Sequence, residues 1–136
     1  MEEMMAELKP GITGSAQDTV TEERTAASMG SGGLRVYATP RMTAMMEYTA
    51  WASVEPYMED GMGTVGTRLE ISHVAASPVG AEIRYESELT EVDRRRLVFS
   101  VRAFDDAGLI GEGIHERFII DNAKFMSRAE SKLENR

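Results

Sequence analysis

Cysteine is missing altogether from this chain of 136 residues. Its absence removes disulfides, thiol nucleophiles and thiolate metal sites. No stretch of 18 apolar residues occurs, so nothing reads as a transmembrane helix. The opening Met1-Glu-Glu-Met-Met-Ala-Glu7 is acidic and lacks the basic start and apolar core of a secretory signal. Cytoplasm is therefore the expected compartment. Positive charge is scarce as well: 15 Lys and Arg stand against 23 Asp and Glu, a net charge of −8. Nucleic-acid binders draw much of their affinity from a basic surface, so neither nucleic acid nor membrane is expected as a partner. The one basic run, Arg94-Arg95-Arg96, reads first as a solvated hairpin turn. Several catalytic signatures are also absent: there is no Gly-x-Ser-x-Gly elbow, no P-loop and no strand-linked dinucleotide fingerprint. His115-Glu116-Arg117 is not the His-Glu-x-x-His of a zinc hydrolase, and it has no third nitrogen or sulfur ligand.

What is present is an ordinary globular composition, 42% hydrophobic and 28% charged. A chain of this length is expected to form one domain over residues 1–136, with residues 1–8 and 129–136 as frayed ends. Residues 13–21 are polar, with three Thr and Val20, and suit a first strand. Residues 26–33 end in Gly30-Ser-Gly-Gly33 and read as a mobile loop. A helix then starts sharply, with Thr39 placed to cap it and Pro40 at the first helical position. Met42, Met45, Met46, Thr49, Ala50 and Ser53 recur at helical spacing as one stripe. Ala44, Tyr48 and Trp51 lie opposite, so the helix expects cover on two sides. Pro56 ends it.

Beyond Gly61 the period becomes two. Val65, Thr67, Leu69, Ile71 and His73 share the strand face that looks towards the helix. Ser77-Pro-Val-Gly80 turns into a strand on which Ala81, Ile83, Tyr85, Ser87 and Leu89 alternate with charged residues. A turn at Val92-Asp93-Arg94 leads to Leu97, Phe99, Val101 and Ala103. A second turn, Asp105-Asp-Ala-Gly108, leads to a last strand with Ile110, Ile114, Phe118 and Ile120 on one face and His115 and Arg117 on the other. Residues 122–136 form a short charged helix or fray. The expected class is α+β, an antiparallel sheet wrapped around one long helix.

Three residues carry candidate chemistry. His73 on an apolar face is either a core histidine satisfied by one hydrogen bond or a proton relay near neutral pH. Glu47, on the flank of the methionine stripe, is either a rim carboxylate or a group turned into a cleft. Thr39 is a helix cap, a hydroxyl offered to a substrate, or both.

These residues stand in three phrases: Val36-Tyr-Ala-Thr-Pro-Arg-Met-Thr-Ala-Met-Met-Glu47, the stretch Gly66-Thr-Arg-Leu-Glu-Ile-Ser-His73 continuing to Gly80, and Gly111-Glu-Gly-Ile-His-Glu-Arg117. Together the phrases resemble the hot-dog-fold thioesterases related to fluoroacetyl-CoA thioesterase, over residues of about 8 to 128. The resemblance implies a hot-dog fold and hydrolysis of a short or medium acyl-CoA to free acid and CoA. It also implies catalysis by Thr39, Glu47 and His73, with Gly66 and Arg117 at the substrate. Glu47 would serve as general base towards water or attack the thioester itself. No cofactor is implied beyond CoA as part of the substrate. A homodimer, or a tetramer of two dimers, is the implied assembly. Within that reading Arg94-Arg95-Arg96 gains an alternative role, gripping the CoA phosphates. A non-catalytic acyl-CoA or small-acid binding module on the same scaffold is the alternative. The fluoroacetate-specific enzyme carries a phenylalanine lid six residues before its threonine, where this chain has Gly33. An open pocket is therefore expected, with little preference for the fluorinated substrate and with the methionine stripe lining it for acyl chains of varied shape.

Overall fold

Five antiparallel strands curl around one long helix in a computed structural model that describes residues 7–134. In chain order the elements are β1 (Thr13–Thr19), the short helix α1 (Ala26–Met29), the long helix α2 (Thr39–Val54), β2 (Met62–His73), β3 (Glu82–Asp93), β4 (Arg96–Asp105), β5 (Gly108–Asp121) and α3 (Asn122–Glu134). The strands lie in the order β1-β3-β4-β5-β2, each antiparallel to its neighbours, which leaves β1 and β2 as the free edges. Gly108 closes the β4–β5 turn at φ 139, a value open to glycine at no steric cost. Arg94 holds φ 60 in the β3–β4 turn without that freedom. Among the described residues no helix is long and apolar enough to cross a membrane.

Alternation in β3 and β4 and the helical stripe of α2 meet as the core. Ile83, Tyr85, Leu89, Leu97, Phe99, Val101 and Ala103 face Met42, Met46, Ala50 and Val54, all of them essentially inaccessible. Burying one such large side chain contributes roughly 1.5–3 kcal/mol. The methionines are packed here and do not line an open pocket, contrary to the expectation above. Met42 presses on β5 so closely that a methyl group at Gly111 would come within 2.5 Å of its sulfur. Tyr48 and Trp51 remain exposed on the opposite side of α2.

Two bulges change which residues face α2. In β2, Gly66 pairs with Arg117 and Arg68 with Glu116, so Thr67 is an extra residue. The strict alternation expected from Val65 to His73 slips there. Leu69, Ile71 and His73 do lie on the half-buried face, but before the bulge that face belongs to Thr64 and Gly66. In β5 the pairs Ala103–Gly111 and Phe104–Leu109 leave Ile110 as the extra residue. Ile110 is buried, whereas Ile114 and Phe118 are 45% and 42% exposed. The inward face of β5 therefore carries His115, Arg117 and Ile119, all buried.

One segment read as a loop, and one read as either helix or frayed, are helical. Thr25 accepts a hydrogen bond from Ser28 N–H and Gly30 closes the turn at φ 74, so part of the expected loop folds as α1. At the other end, Asn122–Glu134 takes the helical alternative, with no residue buried. Leu8 is 2% exposed and part of the core.

Candidate active site

Helix α2 starts at Thr39, with Pro40 second, and the residue in the cap position is Ala38, which has no side chain to bond. Thr39 is therefore not the cap that its sequence position suggested, and its hydroxyl is free for another partner. That partner is His73, at the end of β2: Thr39 Oγ1 lies 2.8 Å from His73 Nδ1. The second ring nitrogen, Nε2, is buried and makes no hydrogen bond. Burial lowers the pKa of this imidazole, and the Ala75 backbone opposes that only in part, so the ring is neutral at neutral pH. The pair sits in an open cleft lined also by Ala26, Ser31, Val36 and Val74. The unpaired N–H groups and positive dipole end of α2 lie at the same place.

Glu47 is elsewhere. Eight residues further along α2, it stands about 12 Å along the helix axis from Thr39. Its carboxylate lies over Gly66, where a Cβ would come within 2.9 Å of Glu47 Oε2, 3.1 Å of His115 Cε1 and 3.4 Å of Arg117 Nη1. Gly66 is thus required for close approach; a side chain would occupy the space between these groups. Arg117 is 7% exposed and held firmly: Nε donates to Thr64 Oγ1 at 2.8 Å, Nη2 to Thr64 O at 2.9 Å, and Nη1 to His115 Nε2 at 3.0 Å. His115 Nδ1 lies 2.9 Å from Arg68 O. A guanidinium only donates and a carbonyl only accepts, so His115 must be the neutral tautomer carrying its proton on Nδ1. Burial, chiefly, and the neighbouring Arg117 charge hold its pKa down. Burial also lowers the pKa of Arg117, and the charges of Glu47 and Glu55 pull it back up.

The described protomer thus brings Thr39 to His73, and separately gathers Glu47, Gly66 and Arg117 with Thr64 and His115. It does not bring the two groups together. Sequence reasoning passed over Thr64 and gave His115 no role; the signal for His115 was its place two residues before Arg117 on one strand face. Arg94 and Arg95 are exposed, and Arg96 is paired with Glu91 at 2.6 Å and Glu116 at 2.9 Å, the solvated turn that the run suggested. Among the described residues no three His, Asp or Glu side chains are grouped to hold a metal ion.

A five-stranded antiparallel sheet curled around one long helix is the layout of the hot-dog thioesterases. The model of the fluoroacetyl-CoA-specific thioesterase family matches residues 20–123. The fluoroacetyl-CoA thioesterase of Streptantibioticus cattleyicolor is 38% identical over 97 residues, which is 71% of this chain and 70% of that protein. A solved structure of a fluoroacetyl-CoA thioesterase superimposes with a TM-score of 0.86 at 30% identity, covering 92% of this chain and 97% of that one. A Thermus thermophilus member of the thioesterase superfamily superimposes at 0.85 with 27% identity, covering 94% and 97%. The chain belongs to the fluoroacetyl-CoA-specific thioesterase family.

Proposed function

We propose that this protein hydrolyses short or medium acyl-CoA thioesters to the free acid and CoA, at sites shared between the two protomers of a homodimer. The observation that carries this reading is the separation of Thr39 and His73 from Glu47, Gly66 and Arg117 within one chain. β2 is a free sheet edge that bears both His73 and Gly66. A free edge invites pairing with another strand. A two-fold axis pairs an edge with its own copy antiparallel, which carries the His73 end of one β2 towards the Gly66 half of the other. Each composite site then holds Thr39 and His73 from one protomer and Glu47, Gly66 and Arg117 from its partner.

In such a site the thioester carbonyl lies over Gly66, the one place on the inward face of β2 where no side chain blocks it. Glu47 takes a proton from water as the water oxygen adds to the carbonyl carbon, or its carboxylate adds directly and water then resolves the mixed anhydride. The oxyanion forms where helix N–H groups and the Thr39 hydroxyl can meet it. The C–S bond breaks, CoA leaves as thiolate, and His73 relays the proton. No cofactor is called for beyond the CoA portion of the substrate, and a CoA-dependent hydrolase of this kind belongs in the cytoplasm. Family membership supports the hydrolase over the non-catalytic module. Gly33 has open space around it, with nothing within 4 Å of where a side chain would begin, so position 33 supplies no aromatic lid and a range of acyl groups is accepted.

Purified protein assayed against a panel of acyl-CoAs with a free-thiol readout should release CoA without added metal, and its mass in solution should be at least twice the 15.0 kDa of the chain. Tight acyl-CoA binding with no turnover across the panel overturns the hydrolase reading. A fully active species of monomer mass overturns the shared site.

A further inference from the structure

One buried carboxylate, outside both groups of site residues, is tied to the chain on either side of Thr39. Asp18 on β1 is 8% exposed. It accepts hydrogen bonds from Arg24 Nη1 at 2.6 Å, Arg41 Nε at 2.9 Å, Arg41 Nη2 at 3.0 Å and the Tyr37 hydroxyl at 2.5 Å. The Tyr37 hydroxyl also lies 2.6 Å from that of Tyr85, and both tyrosines are 1% exposed. Tyr37 has a single hydroxyl proton and gives it to the carboxylate, so Tyr85 must donate to Tyr37. Burial alone would raise the Asp18 pKa, but hydrogen bonds from Arg41 and Tyr37 and the charges of Arg41 and Arg24 hold it below the usual value. The backbone is pinned as well. Ala38 N–H donates to Arg24 O at 2.9 Å and Tyr37 N–H to Ser77 O at 2.8 Å.

Residues 37, 38 and 41 are thus fixed to one buried centre, and Thr39 lies between them. Burying a carboxylate with two arginines is costly, and an apolar filling of the same space is often at least as stable. What this arrangement supplies is position. It converges on residues 37–41, which lead into and open α2, from β1, from the segment before α1 and from β3.

We infer that Asp18 is a positioning residue for the thioester site: through Tyr37 and Arg41 it holds the Thr39 hydroxyl at hydrogen-bond distance from His73 Nδ1. The inference rests on the reading of Thr39 and His73 given under the proposed function.

The test is a pair of single variants and one double-mutant cycle. Tyr37→Phe removes one hydroxyl and leaves both arginine contacts; Asp18→Asn removes the charge. Each should lower kcat about tenfold to a hundredfold, the scale expected for a small misplacement of a reacting group, with KM within about twofold of wild type. The chain has two histidines and His115 is locked neutral, so NMR titration reports His73 cleanly, and its midpoint should move in both variants. In a Thr39→Val background, Tyr37→Phe should cost nothing further, because contacting groups that act as a unit are non-additive. A Tyr37→Phe enzyme with wild-type kcat and an unmoved His73 titration overturns the inference, as does a rate loss that multiplies with that of Thr39→Val. If Asp18→Asn does not fold, Tyr37→Phe alone decides. A Thr39→Val enzyme at wild-type rate sinks the catalytic reading of Thr39 itself, a separate outcome.

Discussion

Replacing Gly66 with alanine separates catalysis from folding more cleanly than any other single change. The added Cβ would stand 2.9 Å from Glu47 Oε2, so the carboxylate must retreat by about 0.5 Å to reach ordinary contact at 3.4 Å. Glu47 is a flexible end, and His115 Cε1 at 3.1 Å needs to give only a few tenths of an ångström. The folding cost is therefore small, about 1 kcal/mol of strain, partly offset by the ~0.4–1 kcal/mol that losing glycine's freedom in the unfolded chain returns. Catalysis should suffer far more. The methyl group occupies the place of the thioester and displaces the carboxylate, and misplacement on this scale costs about a hundredfold, or ~2.7 kcal/mol in kcat/KM. Steady-state thiol release and urea melts on the same preparation decide the matter. A Gly66→Ala enzyme with wild-type kcat/KM refutes the placement of the substrate over Gly66. An activity loss no larger than the loss of folded protein refutes it too.

Three further outcomes follow from particular residues. Burial lowers the His73 pKa below the ordinary 6.5; the folded enzyme resists protonation, so kcat/KM should rise as pH climbs through a midpoint below 6.5 and stay level above it. A pH profile with its acid limb centred above 6.5 contradicts a neutral His73. Arg94→Gly relieves a φ of 60 and should stabilise the fold by up to about 1 kcal/mol in chemical denaturation, with KM for acyl-CoA unchanged. A tenfold rise in KM would instead make Arg94 a phosphate contact. The open loop at Gly33 predicts similar kcat/KM for acetyl-CoA and fluoroacetyl-CoA; a fluoroacetyl preference above about a hundredfold, ~2.7 kcal/mol, shows that discrimination needs no lid there.

Much of this architecture was legible because it is written locally. The Met42–Ala50 stripe, the alternation from Ile83 to Leu89 and the Gly108 turn each follow from residue spacing alone. The bulges at Thr67 and Ile110 were not, because an extra residue is defined only by the strand opposite. Their consequence was large: they place Thr64 and Gly66 on the inward face and turn Ile114 and Phe118 outward. Thr39 illustrates the same limit. Its sequence position suggests a cap, and only the arrival of His73 from 34 residues away assigns its hydroxyl another partner. The Asp18 network is more remote still, since it joins residues from four separate segments, none of them in a recognisable pattern. The distance between Glu47 and His73 could not be read at all. Three polar residues in family phrases give no sign that one chain keeps Glu47 apart from the other two.

That separation is the central claim, and mixing two inactive homodimers tests it most directly. Glu47→Gln and His73→Ala proteins should each lose about a hundredfold or more of the wild-type rate. Combined in equal amounts and allowed to exchange subunits, half the dimers become mixed, and each mixed dimer carries one intact site. Activity should then recover to about a quarter of the wild-type value. Exchange demonstrated by mass with no recovery of thiol release would place Glu47 and His73 of one chain in the same site and contradict the account.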